Sequence, residues 1–243
     1  MIKLTDDFKL PSVPVTDGFS VTKIKANFLA YGCGYSFLKM WFQQNENGEI
    51  TALLQKFENT FFIAAKENAD FSEIKDFIFM IGFSSIQAEP KILAALNLKF
   101  KEYSVLEYIG TDKADLPPYP DIKEVYSLLF SEESPSLRPT DFEAFYVDLS
   151  HKIRKNLAAA LTLNKTAVCV ASHITDSSAV ISGVAVKSVA RGSGLGSQTL
   201  RRMLTSLGER KIYVAAEEKV VPFYIKNGFL KAYKTAIYET EDN

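Results

Sequence analysis

The sequence is poor in the features that would place it outside the ordinary globular class. It has two cysteines in 243 residues, Cys33 and Cys169, far apart and each in or beside an apolar stretch. That pattern excludes a disulfide framework and points to two reduced structural thiols. With two histidines and no histidine–cysteine clustering, it shows no metal-ligand spacing, and no metal is expected. The net charge is −1 and the pI about 6.2, so the basic excess of a nucleic-acid binder and the acidic tail of a charged scaffold are both missing. No apolar run approaches the roughly 18 residues of a membrane span. The start, MIKLTDDFKLPSV, lacks the basic, apolar and small-residue regions of a signal peptide. The expectation is a cytoplasmic protein with neither nucleic acid nor membrane as partner.

What is present is a globular composition, 47% hydrophobic and 23% charged, with enough apolar surface to offset chain ordering. The length suits two ordinary domains or one large one. The stretch GTDKADLPPYP, residues 110–120, interrupts both helical and strand periodicity with Gly, Asp and prolines. A division into residues 1–115 and 116–243 follows.

The second segment has clear punctuation. Helices are expected over 121–130 and 141–157, the latter capped by Thr140 after Pro139, with Glu143 completing a capping box. Strands 158–163 and 166–174 flank a tight turn at Asn164-Lys165. A strand over 179–186 leads through a loop into a helix ending near Leu207, stopped by Gly208. A strand 211–216, a short helix 220–227 and a strand 229–239 complete it. Hairpin strands followed by a strand–helix–strand crossover imply an α/β fold, with a mixed, largely antiparallel sheet flanked by helices.

The first segment reads as a smaller α/β domain: strands over 35–43, 50–56 and 60–65, a helix over 71–81, a strand near 84–88 and a helix within 90–98. This order matches the middle of the second segment, but KENAD (66–70) stands where the second has its glycine loop. Two readings stay open, a degenerate copy of the second fold or an unrelated α/β half.

The chemistry is carried by Arg191-Gly192-Ser193-Gly194-Leu195-Gly196, between an apolar strand and an amphipathic helix. Glycines let successive backbone N–H groups point inward, and the helix N-terminus adds unpaired donors and positive potential. Such a corner suits a pyrophosphate, with Arg191 and the Ser193 and Ser197 hydroxyls as further contacts. No Lys-Ser/Thr follows the last glycine, as a nucleotide triphosphatase loop needs. The spacing of Gly192, Gly194 and Gly196 is wrong for the dinucleotide pattern. Asp148, Ser150 and His151 are neighbours on one helix, which cannot give a hydrolase triad its geometry.

The R-x-x-G-x-G loop after SGVAV, with PFYIKNGF (Pro222–Phe229) downstream, resembles the two signatures of the GNAT superfamily of N-acetyltransferases, over residues 120–240. The resemblance implies acetyl-CoA as cosubstrate and an amine, small or on a peptide or protein, as acceptor. It puts the pantetheine arm against the backbone of Val184, Ala185 and Val186 and the pyrophosphate on Arg191, Gly192, Ser193, Gly194, Leu195, Gly196 and Ser197. Tyr224 aligns with the tyrosine that protonates the leaving thiolate, a role open to a phenol protonated at neutral pH. Glu217 stands where many members carry a cofactor-contacting asparagine, which puts that contact in doubt. Glu217 and Glu218 are the candidate bases at the strand end. Tyr146, Asp148 and His151 lie on the helix that borders the acceptor in that family. An acyl-CoA-binding module or sensor without catalysis is the alternative reading.

Overall fold

The structure is a computed structural model that describes residues 1–4, 18–110, 115–131 and 141–240. The chain forms two compact units, Met1–Val105 with Tyr233–Asn243, and Leu106–Ala232. The divisions fall inside two strands, β6 (Lys101–Ile109) and β11 (Leu230–Glu239). Of the break at 110–120, residues 111–114 lie outside the described residues.

The first unit contains β1 (Ile2–Leu4), α1 (Gly18–Tyr31), β2 (Leu38–Gln44), β3 (Ile50–Phe57), β4 (Thr60–Ala65), α2 (Phe71–Ile81), β5 (Ser85–Ala88) and α3 (Pro90–Ala95). Its sheet runs β1-β2-β3-β4-β5-β11. β2, β3 and β4 are antiparallel neighbours, whereas β4 and β5 are parallel, joined through α2. Side-chain alternation in the strands sorts two cores. Ala52, Leu54, Phe61 and Ile63 pack with Ile74 and Ile78 of α2 and Ile92 of α3. Leu53, Phe62 and Ala64 pack with Ile24 of α1. Helix α1 and strand β6 are elements that the sequence pattern left unassigned.

The second unit contains α4 (Ile122–Leu129), α5 (Phe142–Arg154), β7 (Ala159–Leu163), β8 (Ala167–Ile174), β9 (Ser178–Val186), α6 (Leu195–Leu207), β10 (Lys211–Ala216) and α7 (Val221–Lys226). Strand order is β6-β10-β9-β8-β7. β7, β8 and β9 form antiparallel hairpins, and β9 runs parallel to β10 through α6. Asn164 and Lys165 both adopt positive φ, 53° each, the backbone that a two-residue primed hairpin turn demands. Helix α5 starts otherwise than expected. Its cap is Asp141, whose carboxylate accepts from the Ala144 N–H at 2.9 Å. Pro139 and Thr140 lie outside the described residues.

Alternation again divides the cores. Cys169 and Ala171 of β8 face the cluster of α6 and α7, with Leu200, Met203, Leu204, Val221 and Tyr224. Val168 and Val170 face α4 and α5. Each fully buried Leu or Ile in such a cluster is worth about 1.5–3 kcal/mol. Each unit is therefore an α/β layer, a mixed sheet with helices on both faces. Among the described residues no helix is long and apolar enough to cross a membrane.

Candidate functional site

The site is prepared by an irregularity in β9. Its register with β8 slips: Val170 pairs with Gly183, yet Ala171 pairs with Ile181, so Ser182 is an extra residue. A bulge reverses which face the following residues take. Before it, Ala179 and Ile181 face α6; after it, Val184 packs on that core while Ala185 turns to the α4–α5 side. The parallel ladder with β10 ends at the same level, Ile181↔Val214. Beyond it, β9 runs on to Val186 and β10 to Ala216 without further pairing between them among the described residues. This gap lies beside Val184, Ala185 and Val186, where the resemblance puts a pantetheine arm. The Val186 carbonyl already accepts from Arg191 Nε at 3.1 Å, so that carbonyl is engaged within the protein.

After a 3-10 turn at Ser188–Ala190, the chain passes through Arg191 to Ser193 into α6. Gly192 and Gly194 have φ of 79° and 84°, a left-handed backbone that glycine adopts without steric cost. Gly194 occupies the N-cap, and no side chain caps the helix. Among the described residues, nothing accepts from the N–H groups of residues 192–197. The loop is exposed, so these donors face solvent with the helix dipole behind them. Gly196 is needed for a different reason. A Cβ there would lie 3.3 Å from Val186 Cγ2 and 3.6 Å from the Phe223 ring, so a larger residue would push apart the helix start and the strand end. Ser193 Oγ donates to the Ala190 carbonyl at 2.6 Å and shapes the turn.

Helix α7 is fastened to this corner by a residue that the motif reading passed over. Asn227 Nδ2 donates to Ser197 Oγ at 3.1 Å and to the Phe223 carbonyl at 2.8 Å, tying the turn after α7 to the first turn of α6. Its Oδ1 is buried without a partner. The only sequence signal was an amide at the end of a short helix, which reads equally well as a C-cap.

Tyr224 is buried in the α6–α7 core, 8% exposed, with its ring edge-on to Phe223 and Phe229 at 5.1 and 5.5 Å. Burial, and to a lesser degree the Cys169 thiol, pushes its phenol well above the usual tyrosine range. Cys169 lies on β8 opposite Val184, and both pack in or against the cluster that holds Tyr224. Among the described residues it has no hydrogen-bond partner. The phenol is thus protonated and unengaged.

The two carboxylates at the end of β10 are both engaged. Glu217 pairs with Lys219 at 2.7 Å, and Glu218 pairs with Lys231 at 3.0 Å. On α5, Asp148 pairs with the fully buried Lys152 at 3.0 Å, and Ser150 accepts from the Tyr119 hydroxyl at 3.0 Å. Tyr146 and His151 lie on that same helix, so the structure draws together no triad from this segment. The loop, the strand end, Tyr224 and Asn227 do come together, through contacts inside the second unit.

No family model and no curated protein matches the sequence. Solved structures do match. A GCN5-related N-acetyltransferase from Sphaerobacter thermophilus shares 12% identity at a TM-score of 0.60, covering 90% of this chain and 84% of that one. A GCN5-related N-acetyltransferase from Kribbella flavida shares 10% at 0.51, covering 79% and 88%. A tandem GNAT protein from the clavulanic acid biosynthesis pathway shares 11% at 0.50, with both chains covered in full. At such identities the likeness is one of fold, and the fold of this chain is that of the GNAT acetyltransferases.

Proposed function

We propose that this protein is an N-acetyltransferase that moves an acetyl group from acetyl-CoA to an amine by direct attack. The observation that carries the reading is the convergence of two unengaged donor sets in one unit, the free amides of 192–197 and the protonated Tyr224 hydroxyl. The first suits a pyrophosphate and the second suits a leaving thiolate; the strand gap past Ile181 runs up to the loop. In the reaction, the neutral amine adds to the thioester carbonyl and the C–S bond breaks. Tyr224 gives its proton to the sulfur, and the amine's surplus proton passes to water. A phenol that holds its proton at neutral pH can give it to the developing thiolate. We also infer that the chemistry resides in the 116–243 segment, that Glu217 and Glu218 reach the acceptor side, and that residues 1–115 are a degenerate copy of the same fold. The repeated order of antiparallel hairpins and a parallel crossover supports the last reading.

The test is thiol release from acetyl-CoA against a panel of amines, with Tyr224→Phe alongside. The variant should lose about a hundredfold in kcat while donor affinity stays within about threefold. A second reading, an acyl-CoA-binding module or sensor without turnover, is favoured by the ion pairs that occupy both candidate bases. Saturable acetyl-CoA binding with no turnover on any amine would decide for it.

A further inference from the structure

The two units end differently on their hairpin side. In the first, β2, β3 and β4 run antiparallel and β4 pairs parallel with β5. In the second, β7, β8 and β9 run antiparallel and β9 pairs parallel with β10. Strand β7 therefore holds the place in its unit that β2 holds in the first. The outer edge of β2 is occupied. Strand β1 lies on it antiparallel, with Ile2 opposite Gln43 and Leu4 opposite Trp41, and the Met1 carbonyl accepts from the Gln44 N–H at 3.1 Å. The outer edge of β7 is bare. Among the described residues its neighbour is β8 alone, and the backbone groups of residues 159–162 that turn away from β8 have no partner. Both faces of the strand are covered: Ala159 and Leu161 pack on the α6 core, and Ala160 packs on the α4–α5 core. What is left open is a row of N–H and C=O groups.

An open edge is a template for another strand, and proteins blunt such edges with charge, proline, bulges or short length. The first unit's own edge strand, β1, is three residues long and carries Lys3. Strand β7 has five residues, AALTL, with neither charge nor proline, and pairs with β8 without a register slip. We propose that this edge is an interface and that its occupant is β7 of a second copy of this chain, paired antiparallel about a twofold axis at Leu161. In that register Leu161 lies opposite its own copy, Ala160 opposite Thr162 of the partner subunit, and Ala159 opposite the partner's Leu163. No charge meets another. Every pair joins positions of equal parity, so each side chain stays on the face it already occupies. A foreign strand would satisfy one bare edge; a second copy satisfies two at once, and the twofold closes the assembly at two chains. The pairing does not depend on the proposed activity, because a catalyst and a binding module with this edge would pair alike.

Sedimentation equilibrium on the whole chain tests the pairing. At micromolar concentration the wild-type protein should show twice the 27.1 kDa of one chain. Leu161→Lys sets two ammonium groups against each other at the axis and should halve that mass, and Leu161→Glu should do the same with two carboxylates. Mixing the two variants should restore the doubled mass, because the axis then joins opposite charges, and a folding defect is not cured in that way. Leu161→Cys in a Cys33→Ser background decides the matter if the charged variants fail to fold. Its two thiols would sit on Cα atoms about 5 Å apart, and oxidised glutathione should convert them into a disulfide-linked dimer. A wild-type protein of single-chain mass overturns the proposal. So does a doubled mass that survives both charged variants, a mixture of folded variants that stays single, or a Leu161→Cys protein that gives no cross-link.

Discussion

Two helix starts in this protein occupy the same place in their units and have opposite chemistry. Helix α2 follows β4 and crosses to the parallel strand β5; α6 follows β9 and crosses to the parallel strand β10. At α2 side chains occupy the corner. Asp70 caps the helix and accepts from the Glu73 N–H at 3.0 Å; Gln43 donates to the Asp70 carbonyl and accepts its N–H. Glu73 accepts from the Ile2 N–H at 2.8 Å. At α6 a glycine stands at the cap, no carboxylate is near, and the amides are open. The strands differ in the same sense. β3 and β4 pair without a register slip, whereas β8 and β9 slip at Ser182. The shared topology supplies a helix dipole in both places. Whether it can bind an anion depends on what already satisfies it.

The largest test of that contrast is a cut. A fragment of residues 116–243 keeps the loop and Tyr224 but removes β6, of which residues 106–109 belong to the same unit. Leu106 is fully buried in the α6 core, Tyr108 packs on Phe229 at 5.5 Å, and Glu107 pairs with Lys211. The fragment should lose cooperative unfolding, measured by circular dichroism against denaturant. A cooperative transition matching the whole chain would show that the open loop needs nothing beyond its own segment.

A smaller change makes α6 resemble α2. Ser197→Asp puts a carboxylate in the first turn, where it should stabilise the helix by about 0.5 kcal/mol through the dipole. The same charge, about 4 Å from a bound pyrophosphate, should cost acetyl-CoA about a hundredfold in affinity. Stability and binding would move in opposite directions, which a folding defect cannot imitate. Unchanged affinity would place the anion elsewhere.

Much of this contrast could be read in the chain. KENAD against RGSGLG already distinguished the two corners, and the helices over 71–81 and 195–207 matched their apolar spacing because their buried faces are apolar. Helix α1 was illegible for the converse reason. Its buried face includes Ser20, Thr22 and Asn27, with Asn27 donating to the buried Gln55 at 2.9 Å, so polarity did not mark the outside. That the divisions between units fall inside β6 and β11 was equally hidden, because strand partners far apart in sequence leave no local pattern. Within the site, the glycines and Tyr224 could be read from spacing. The Ser182 bulge and the Asn227 tie depend on tertiary placement.

The reverse change has a more modest consequence. Asp70→Ala leaves α2 without its cap and should cost about 1 kcal/mol of stability. That is a fall of several degrees in melting temperature for a unit of this size. Donor binding should not change, because α2 presents its dipole to its own side chains. An acetyl-CoA affinity altered by Asp70→Ala would show that the first unit takes part in the donor site, and the contrast between the two helix starts would no longer separate binding from scaffold.

The smallest expected difference compares the two thiols. Cys33 is half-buried in the first unit, and Cys169 is fully buried on β8 in the second. Burial pushes the Cys169 thiol far above its usual range, so no thiolate is available there while the core is closed. A disulfide reagent at mildly alkaline pH should label Cys33 in the native protein and reach Cys169 only on unfolding. Tyr224 belongs to the same core as Cys169, so this labelling also reports on the phenol's surroundings. Equal labelling rates would mean that the core opens readily and admits water. The physical cause of the raised Tyr224 value would then be gone, and the phenol, still protonated at neutral pH, would no longer be shielded from solvent.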